Sequence, residues 1–251
     1  MTTTALSMTT ATDHPLSGLL LSVDDARQIT GGLSITSKMP CASYSLPASA
    51  CGVGSRMRDA GRAAIAARPS ARPSQPKAIA DGLQLSPCTG CYARKGNYVR
   101  PNVANVLQRR LDSITDPRWV DAMVVLIADD GRDWFRWHDS GDLQSVDHLA
   151  NIAEVARQLP AVAFWLPTQE RRVVRDYTST HGPLPSNLTV RYSAPLMNHR
   201  PDPRQTASYV VTDGTVPADV HACPAPSQGG ECGSCRACWD TTVPTVAYRA
   251  H

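Results

Sequence analysis

Five of the eight cysteines in this chain stand in two tight clusters. One is Cys88-Thr-Gly-Cys91; the other is Cys232-Gly-Ser-Cys235-Arg-Ala-Cys238, with Cys223 nine residues ahead of it. Cys41 and Cys51 complete the set. Two thiols separated by two residues aim both sulfurs at a common point, the bite that a metal ion or a cluster iron requires. Disulfides do not ask for that geometry, and they need an oxidising compartment.

The start of the chain argues for a reducing one. Residues 1–14 are a polar Thr/Ser/Ala tract without a basic opening, and the apolar run at 16–21 is too short for a signal core. The longest apolar run, 122–128, falls far short of the ~20 residues of a membrane span. The expectation is a cytoplasmic protein away from any membrane, with its thiols reduced and bound to metal.

A 251-residue chain with 42% hydrophobic content can bury a full core. Its net charge of +3 is too small to argue for nucleic acid by itself. The charge is uneven, however. Arg56, Arg58, Arg62, Arg68, Arg72 and Lys77 face the single acid Asp59 across residues 56–77. A solvated basic loop is one reading of this stretch; a phosphate-contacting arm for nucleic acid, or a surface for a host protein, is the other.

Residues 1–36 read as a poorly ordered leader with a short helix at 23–29, and 37–251 as a single β/α domain with cysteine-rich elements at 41–98 and 223–239. Closely spaced prolines make 69–76 linker-like. From Asn102 the periodicity sharpens. Val103, Val106, Leu107, Leu111 and Ile114 recur at helical spacing, and so do Trp119, Val120, Met123, Val124 and Ile127 after Asp116-Pro117. A short aromatic strand at 133–137 follows, then a helix capped by Ser145 with its stripe at Val146, Leu149, Ile152, Ala153, Ala156 and Leu159. Strands at 161–166, 188–192 and 208–212 bracket a helical segment at 171–177. This alternation predicts an α/β fold of parallel β/α units with right-handed crossovers. A partial or full parallel β/α barrel with cysteine-rich N- and C-terminal extensions is the first expectation, an open doubly wound sheet the second. Either architecture puts its site in the loops at the carboxyl ends of the strands.

Iron–sulfur ligation is favoured over zinc. Zinc ribbons pair two C-x-x-C elements across a short hairpin, whereas here the entire β/α region separates them, and C-x-x-C-x-x-C is closer to ferredoxin-type ligation. Two partitions are open. Cys41, Cys51, Cys88 and Cys91 could hold one centre and Cys223, Cys232, Cys235 and Cys238 another; alternatively, the two ends of the chain meet at one shared cluster. The shorter loops of the first partition favour it weakly.

His138, Asp139 and Asp142, in a strand-end loop, suit proton transfer or substrate binding, although Asp and Ser after a strand also commonly fix the turn. Arg136 and Arg191 lie on strands, where a charge is paired with a carboxylate or aimed into a cavity for an anionic ligand. Thr168, in the next strand-end loop, joins them as a cofactor-binding candidate. Trp134, Trp137 and Trp165 read as core or pocket wall.

The motifs Lys38-Met-Pro-Cys-Ala-Ser-Tyr-Ser-Leu-Pro-Ala48, Cys88-Thr-Gly-Cys-Tyr-Ala-Arg-Lys-Gly-Asn-Tyr98, Phe135-Arg-Trp-His-Asp-Ser-Gly-Asp-Leu-Gln144, Phe164-Trp-Leu-Pro-Thr168 and Cys235-Arg-Ala-Cys-Trp239 together resemble the gene product 88 family of bacteriophage proteins. The resemblance runs from about Ser37 to the end of the chain. It implies a phage-encoded protein of the host cytoplasm and carries no assigned reaction. Gln169 departs from the pattern, where arginine is expected after Pro-Thr, and the stretch 56–84 is longer than usual.

The layout is also similar to radical S-adenosylmethionine enzymes with an auxiliary cluster. That likeness implies a four-iron, four-sulfur cluster held by three cysteines, with one iron left for the cofactor. The third cysteine would fall at position 84, which is Gln84; Cys41 or Cys51 must supply it, or the cluster is fully ligated and radical chemistry is absent. The competing expectations are a redox or radical-type enzyme, a binding protein with a structural cluster, and a zinc-stapled fold.

Overall fold

The computed structural model describes residues 21–68 and 74–250. The chain opens with helix α1 (Val23–Thr30), closed at its start by a capping box between Ser22 and Asp25 and at its end by Gly31 in the left-handed region. Strand β1 (Ser34–Ile35) and strand β2 (Ala42–Tyr44) follow. Helix α2 (Gly52–Ala66) and the short α3 (Gln75–Ala80) come next, then three 3₁₀ turns at Pro87–Gly90, Tyr92–Arg94 and Gly96–Val99. Helices α4 (Pro101–Ser113) and α5 (Trp119–Asp130) lead into β3 (Trp134–Trp137), α6 (Val146–Gln158), β4 (Ala163–Thr168), α7 (Arg171–His181) and β5 (Leu188–Ser193). Strands β6 (Ala207–Val211), β7 (His221–Ala222) and β8 (Thr245–Arg249) complete the chain.

The eight strands form one sheet in the order β1-β2-β3-β4-β5-β6-β8-β7. Only β1 is antiparallel to its neighbour; every other pair is parallel. The sheet is mostly parallel and does not close on itself. It is not doubly wound, since the order advances from β2 to β6 without the reversal that a doubly wound sheet requires.

The pleat divides the strands between two environments. Ala42, Tyr44, Phe135, Trp137, Phe164, Leu166 and Leu188 face α5, α6 and α7 and build the main core with Trp119, Met123, Leu149, Ile152 and Tyr177. The other face of the sheet carries Cys41, Trp134, Trp165 and Tyr248 and is covered by Trp239 and Cys238 from the carboxyl-terminal segment. Trp137 is thus core, while Trp134 and Trp165 line the covered face. Ser145 caps α6 as expected, its Oγ accepting the His148 N–H at 3.0 Å.

Two expectations are corrected. The leader was drawn to residue 36, yet its second half is ordered: Ala26 and Thr30 are fully buried, and the carbonyl of Thr30 accepts a 2.7 Å hydrogen bond from the Tyr44 hydroxyl. The same hydroxyl bonds Ser113 at 3.0 Å and accepts from the Trp119 indole at 3.3 Å, so one phenol ties α1, α4 and α5 to β2. Residues 1–20 lie outside the described residues. The basic stretch is no loop through its first half, because α2 runs to Ala66. Of the linker reading, 69–73 lies outside the described residues, and Pro76 sits in the first turn of α3, where its missing N–H costs nothing.

His148 is buried beside Trp119 and His138, and its Nδ1 accepts the Gln144 N–H at 3.3 Å. Burial lowers its pKa to about 4. Above the ordinary histidine range the ring is neutral in folded and unfolded chains alike; below it the unfolded chain gains a proton that the folded one refuses, so this contribution to stability is lost as pH falls from about 6.5 toward 4. In urea titrations at pH 7 and pH 5, His148→Gln should lose about 2 kcal/mol less stability between the two conditions than the parent. Equal losses would show that His148 is not held neutral.

Candidate metal centres

The loops at the carboxyl ends of β2, β3 and β4 meet through specific backbone contacts. Ser140 donates its hydroxyl to the Leu46 carbonyl at 2.8 Å, and Leu46 N–H donates to the Ser140 carbonyl at 2.9 Å. Gly141 lies so close to Leu46 that a Cβ would stand 2.8 Å from its carbonyl oxygen, and its φ of +82° suits glycine. Asp142 is buried in this junction. It accepts from the Thr168 hydroxyl at 2.5 Å, from Gln169 N–H at 2.8 Å and from its neighbour Leu143 N–H at 2.8 Å. Burial raises its pKa to about 6 against those bonds, which lower it.

Cys51 gives way to α2 at this same place. Glu170, just past β4, accepts the Val53 N–H at 2.6 Å, an anion set on the first turn of that helix. Helix α2 then offers a glycine face. A Cβ at Gly54 would lie 3.4 Å from Cys88 Sγ and 3.3 Å from Cys51 Cβ, and one at Gly61 would lie 2.1 Å from Thr89 Oγ1. Seven residues apart, these glycines let the Pro87–Gly90 turn rest directly on the helix, which brings Cys88 to Cys51. Burial pushes Cys51 up to about 12, with further raising from Asp142, Cys91 and Cys88. Cys88 is pushed up to about 11, again mainly by burial, with Cys91 and Asp142 among its electrostatic neighbours. Cys51, Cys88, Cys91 and Asp142 therefore share one neighbourhood at the strand ends.

Cys41 does not. It is fully buried on the covered face against Trp165 and Trp239, and burial raises it to about 12 beside Arg136 and Cys232. The remaining thiols gather there. Cys223 has Cys235 as an electrostatic neighbour, and Cys232 has both Cys223 and Cys235. Cys238 lies 3.1 Å from the Tyr248 hydroxyl, and Cys235 lies 3.3 Å from His221 Nε2. The partition placing Cys41 with Cys51, Cys88 and Cys91 is thus corrected, because Cys41 stands just ahead of β2 against Trp165 and Trp239, whereas Cys51 follows the carboxyl end of that strand. The groups are Cys51/Cys88/Cys91 and a carboxyl-terminal set joined by Cys41. All eight cysteines are free thiols. Among the described residues, no three Cys, His, Asp or Glu side chains converge as tightly as a single ion requires.

The remaining candidates separate by role. The ring of His138 lies tilted against that of His148 with centroids 5.4 Å apart, both ring nitrogens lack partners among the described residues, and its backbone φ is +55°, a strained value for a side chain of this size. Asp139 turns toward Tyr92, whose hydroxyl donates to its carbonyl, and Tyr98, whose hydroxyl lies 3.4 Å from its Oδ2. His138, Asp139 and Asp142 thus take different partners. Thr168 serves Asp142, and also accepts the Glu170 N–H at 2.9 Å.

Arg136 belongs to the covered face, where it is an electrostatic neighbour of Cys41, Cys232 and Cys238. Its guanidinium covers the Trp165 ring at 4.4 Å, its Nη1 is 3.3 Å from Met39 Sδ, and its Nε is enclosed without a partner. Its electrostatic neighbours are Tyr92, Asp139, Tyr248 and Cys238. Arg191 departs from expectation, since it neither pairs with a carboxylate nor opens to a cavity. Its N–H groups are taken up by the carbonyls of Ala207, Ala237, Cys238, Asp240, Val243 and Pro244 at 2.9–3.4 Å. It clamps the carboxyl-terminal cysteine segment to the sheet.

Sequence reasoning missed Glu170, His221, Tyr92, Tyr98 and Tyr248. Glu170 follows Thr168 and Gln169 directly, and reading one residue further along that strand end would have found it.

A family model described as Gene product 88 matches residues 7–241. The chain belongs to the gene product 88 family. No curated protein and no solved structure matches it. The family match spans both thiol groups of this gene product 88 chain, from Cys41 to Cys238. No helix among the described residues is long and apolar enough to cross a membrane.

Arg191→Met removes the donors of six carbonyls at a fully buried position. It should lower stability by about 3 kcal/mol or more in urea denaturation of the metal-free, reduced protein. A loss under about 1 kcal/mol would show that the clamp is dispensable.

Proposed function

We propose that this chain is a phage-encoded iron–sulfur protein of the host cytoplasm, with a reactive centre at Cys51, Cys88 and Cys91 and a second, structural centre in the carboxyl-terminal set. The observation that carries the reading is the gathering of three free, half-buried thiols beside Asp142 at the carboxyl ends of parallel strands. The donor chemistry fits the group. Thiolates are the ligands of iron–sulfur clusters, and all three cysteines of this neighbourhood are free. Three protein ligands leave one coordination position for a substrate, as catalytic metal sites do. In this reading Cys51, the third thiol of the neighbourhood, stands in for the cysteine absent at Gln84.

A four-iron, four-sulfur cluster held there would supply one-electron chemistry, and S-adenosylmethionine is the first cosubstrate to test at the open position. The chain's own residues do the rest. Thr168 and the Gln169 N–H hold Asp142 in place. Glu170 fixes the start of α2 and with it Cys51. Arg136 provides positive charge beside the thiols of the carboxyl-terminal set. The one-directional strand order, with α5 to α7 on one face and the carboxyl-terminal segment filling the other, supports reading the sheet as an incomplete β/α barrel.

The alternative is a non-enzymatic protein that binds host nucleic acid or protein and uses metal as a staple. It is favoured by one observation at the second centre, where His221 stands 3.3 Å from Cys235 in a mixed imidazole and thiolate set that zinc accepts.

The test is metal content and visible absorption of anaerobically purified variants. The parent should be brown. Cys88→Ser should lose the iron of the first centre while keeping the second, and Cys235→Ser should do the reverse. A colourless protein carrying only zinc, or loss of all metal together in either folded variant, would overturn the reading.

A further inference from the structure

Helix α2 presents Arg58 and Arg62 one turn apart, facing the 3₁₀ turns that follow Cys88. Between these elements lies a cleft of about 450 Å³ whose walls include Arg58, Arg62, Cys91, Arg94 and Lys95. No carboxylate lines it among the described residues. Arg58 is paired with Asp59 at 3.0 Å, and Asp59 is largely exposed. Arg62, Arg94 and Lys95 form no ion pair among the described residues; Arg94 reaches only the Ser55 hydroxyl, at 3.4 Å.

Three cations without an ion pair, beside an Arg58 that has one, crowd a small concavity and repel each other unless an anion sits among them. The volume falls in the range of about 300–1,000 Å³ typical of small-molecule sites, not of an extended groove. Guanidinium forks match phosphate oxygens, and each phosphate brings close to two negative charges, whereas a single carboxylate would leave most of the charge unmet. Cys91 is part of this wall and also belongs to the group of Cys51 and Cys88.

We infer that the cleft binds the phosphate groups of a phosphorylated small molecule of nucleotide size. The site presents that molecule to the centre at Cys51, Cys88 and Cys91, so this second half of the inference rests on the function proposed above. The cations do the recognition: Arg62 and Lys95 from the two rims, Arg58 and Arg94 from deeper positions.

Calorimetric titration of the anaerobically purified full chain tests this with four probes: inorganic pyrophosphate, adenosine diphosphate, adenosine and a single-stranded oligonucleotide. Pyrophosphate and adenosine diphosphate should bind with a salt-dependent affinity, and adenosine should not. Arg62→Gln should weaken both by roughly tenfold, and the double variant Arg62→Glu/Lys95→Glu by more, since each charged hydrogen bond lost is worth a factor of about ten. Both positions are exposed, so the fold should persist, and circular dichroism checks it. Absent binding of both phosphorylated probes, unchanged affinity in folded variants, or binding of the oligonucleotide alone would overturn the inference. Iron measured on the same samples separates the two readings. Pyrophosphate binding without iron keeps the anion site and removes the cluster; iron without pyrophosphate binding does the opposite.

Discussion

One buried guanidinium organises the covered face of the sheet. Arg191 sits on β5 with no exposed surface, and a charge so placed must be met by partners or it costs several kcal/mol. Its partners are backbone carbonyls, five of them from residues 237–244. That segment has no regular secondary structure and would otherwise leave those carbonyls unmet. Arg191 and the segment therefore need each other. Once docked, the segment brings Trp239 against Trp165 at 5.2 Å and sends its indole N–H to the Phe135 carbonyl at 2.8 Å. The position of Cys238, and of the cysteines around it, is a consequence of this clamp.

The covered face also explains why two thiol groups exist instead of one. Cys41, just ahead of β2, lies on that face, while the chain beyond Leu46 turns over the strand ends and places Cys51 at the start of α2. Ten residues in sequence separate the covered face of the sheet from its strand ends. Arg136, on the neighbouring strand and in register with Ser43, is the charged neighbour of the thiols on the covered face.

Much of the central fold was legible because its periodicities are strong. The stripes of α4, α5 and α6 and the aromatic run of β3 each match one template, and Ser145 marks its helix unambiguously. Strands β2, β7 and β8 were not found, since two to five residues without alternation carry little signal. Helix α2 was hidden by its composition: Gly52, Gly54, Gly61 and many arginines read as loop, yet two of those glycines are there so that the Cys88 turn can approach. The candidate ligands were legible from spacing alone, but their grouping was not, because it depends on which end of one strand each cysteine flanks. Arg191 was noticed as an odd charge on a strand; its carbonyl partners come from a loop that no local pattern connects to it.

The central claim is that reduced thiols from separate stretches of this gene product 88 chain hold iron at the strand ends. X-ray absorption at the iron edge of the anaerobic protein tests it most directly. The account predicts iron bound by sulfur with a second iron at cluster distance, and a weaker signal of the same kind in Cys51→Ser. A protein with no iron at all, or iron coordinated only by oxygen and nitrogen, would contradict it.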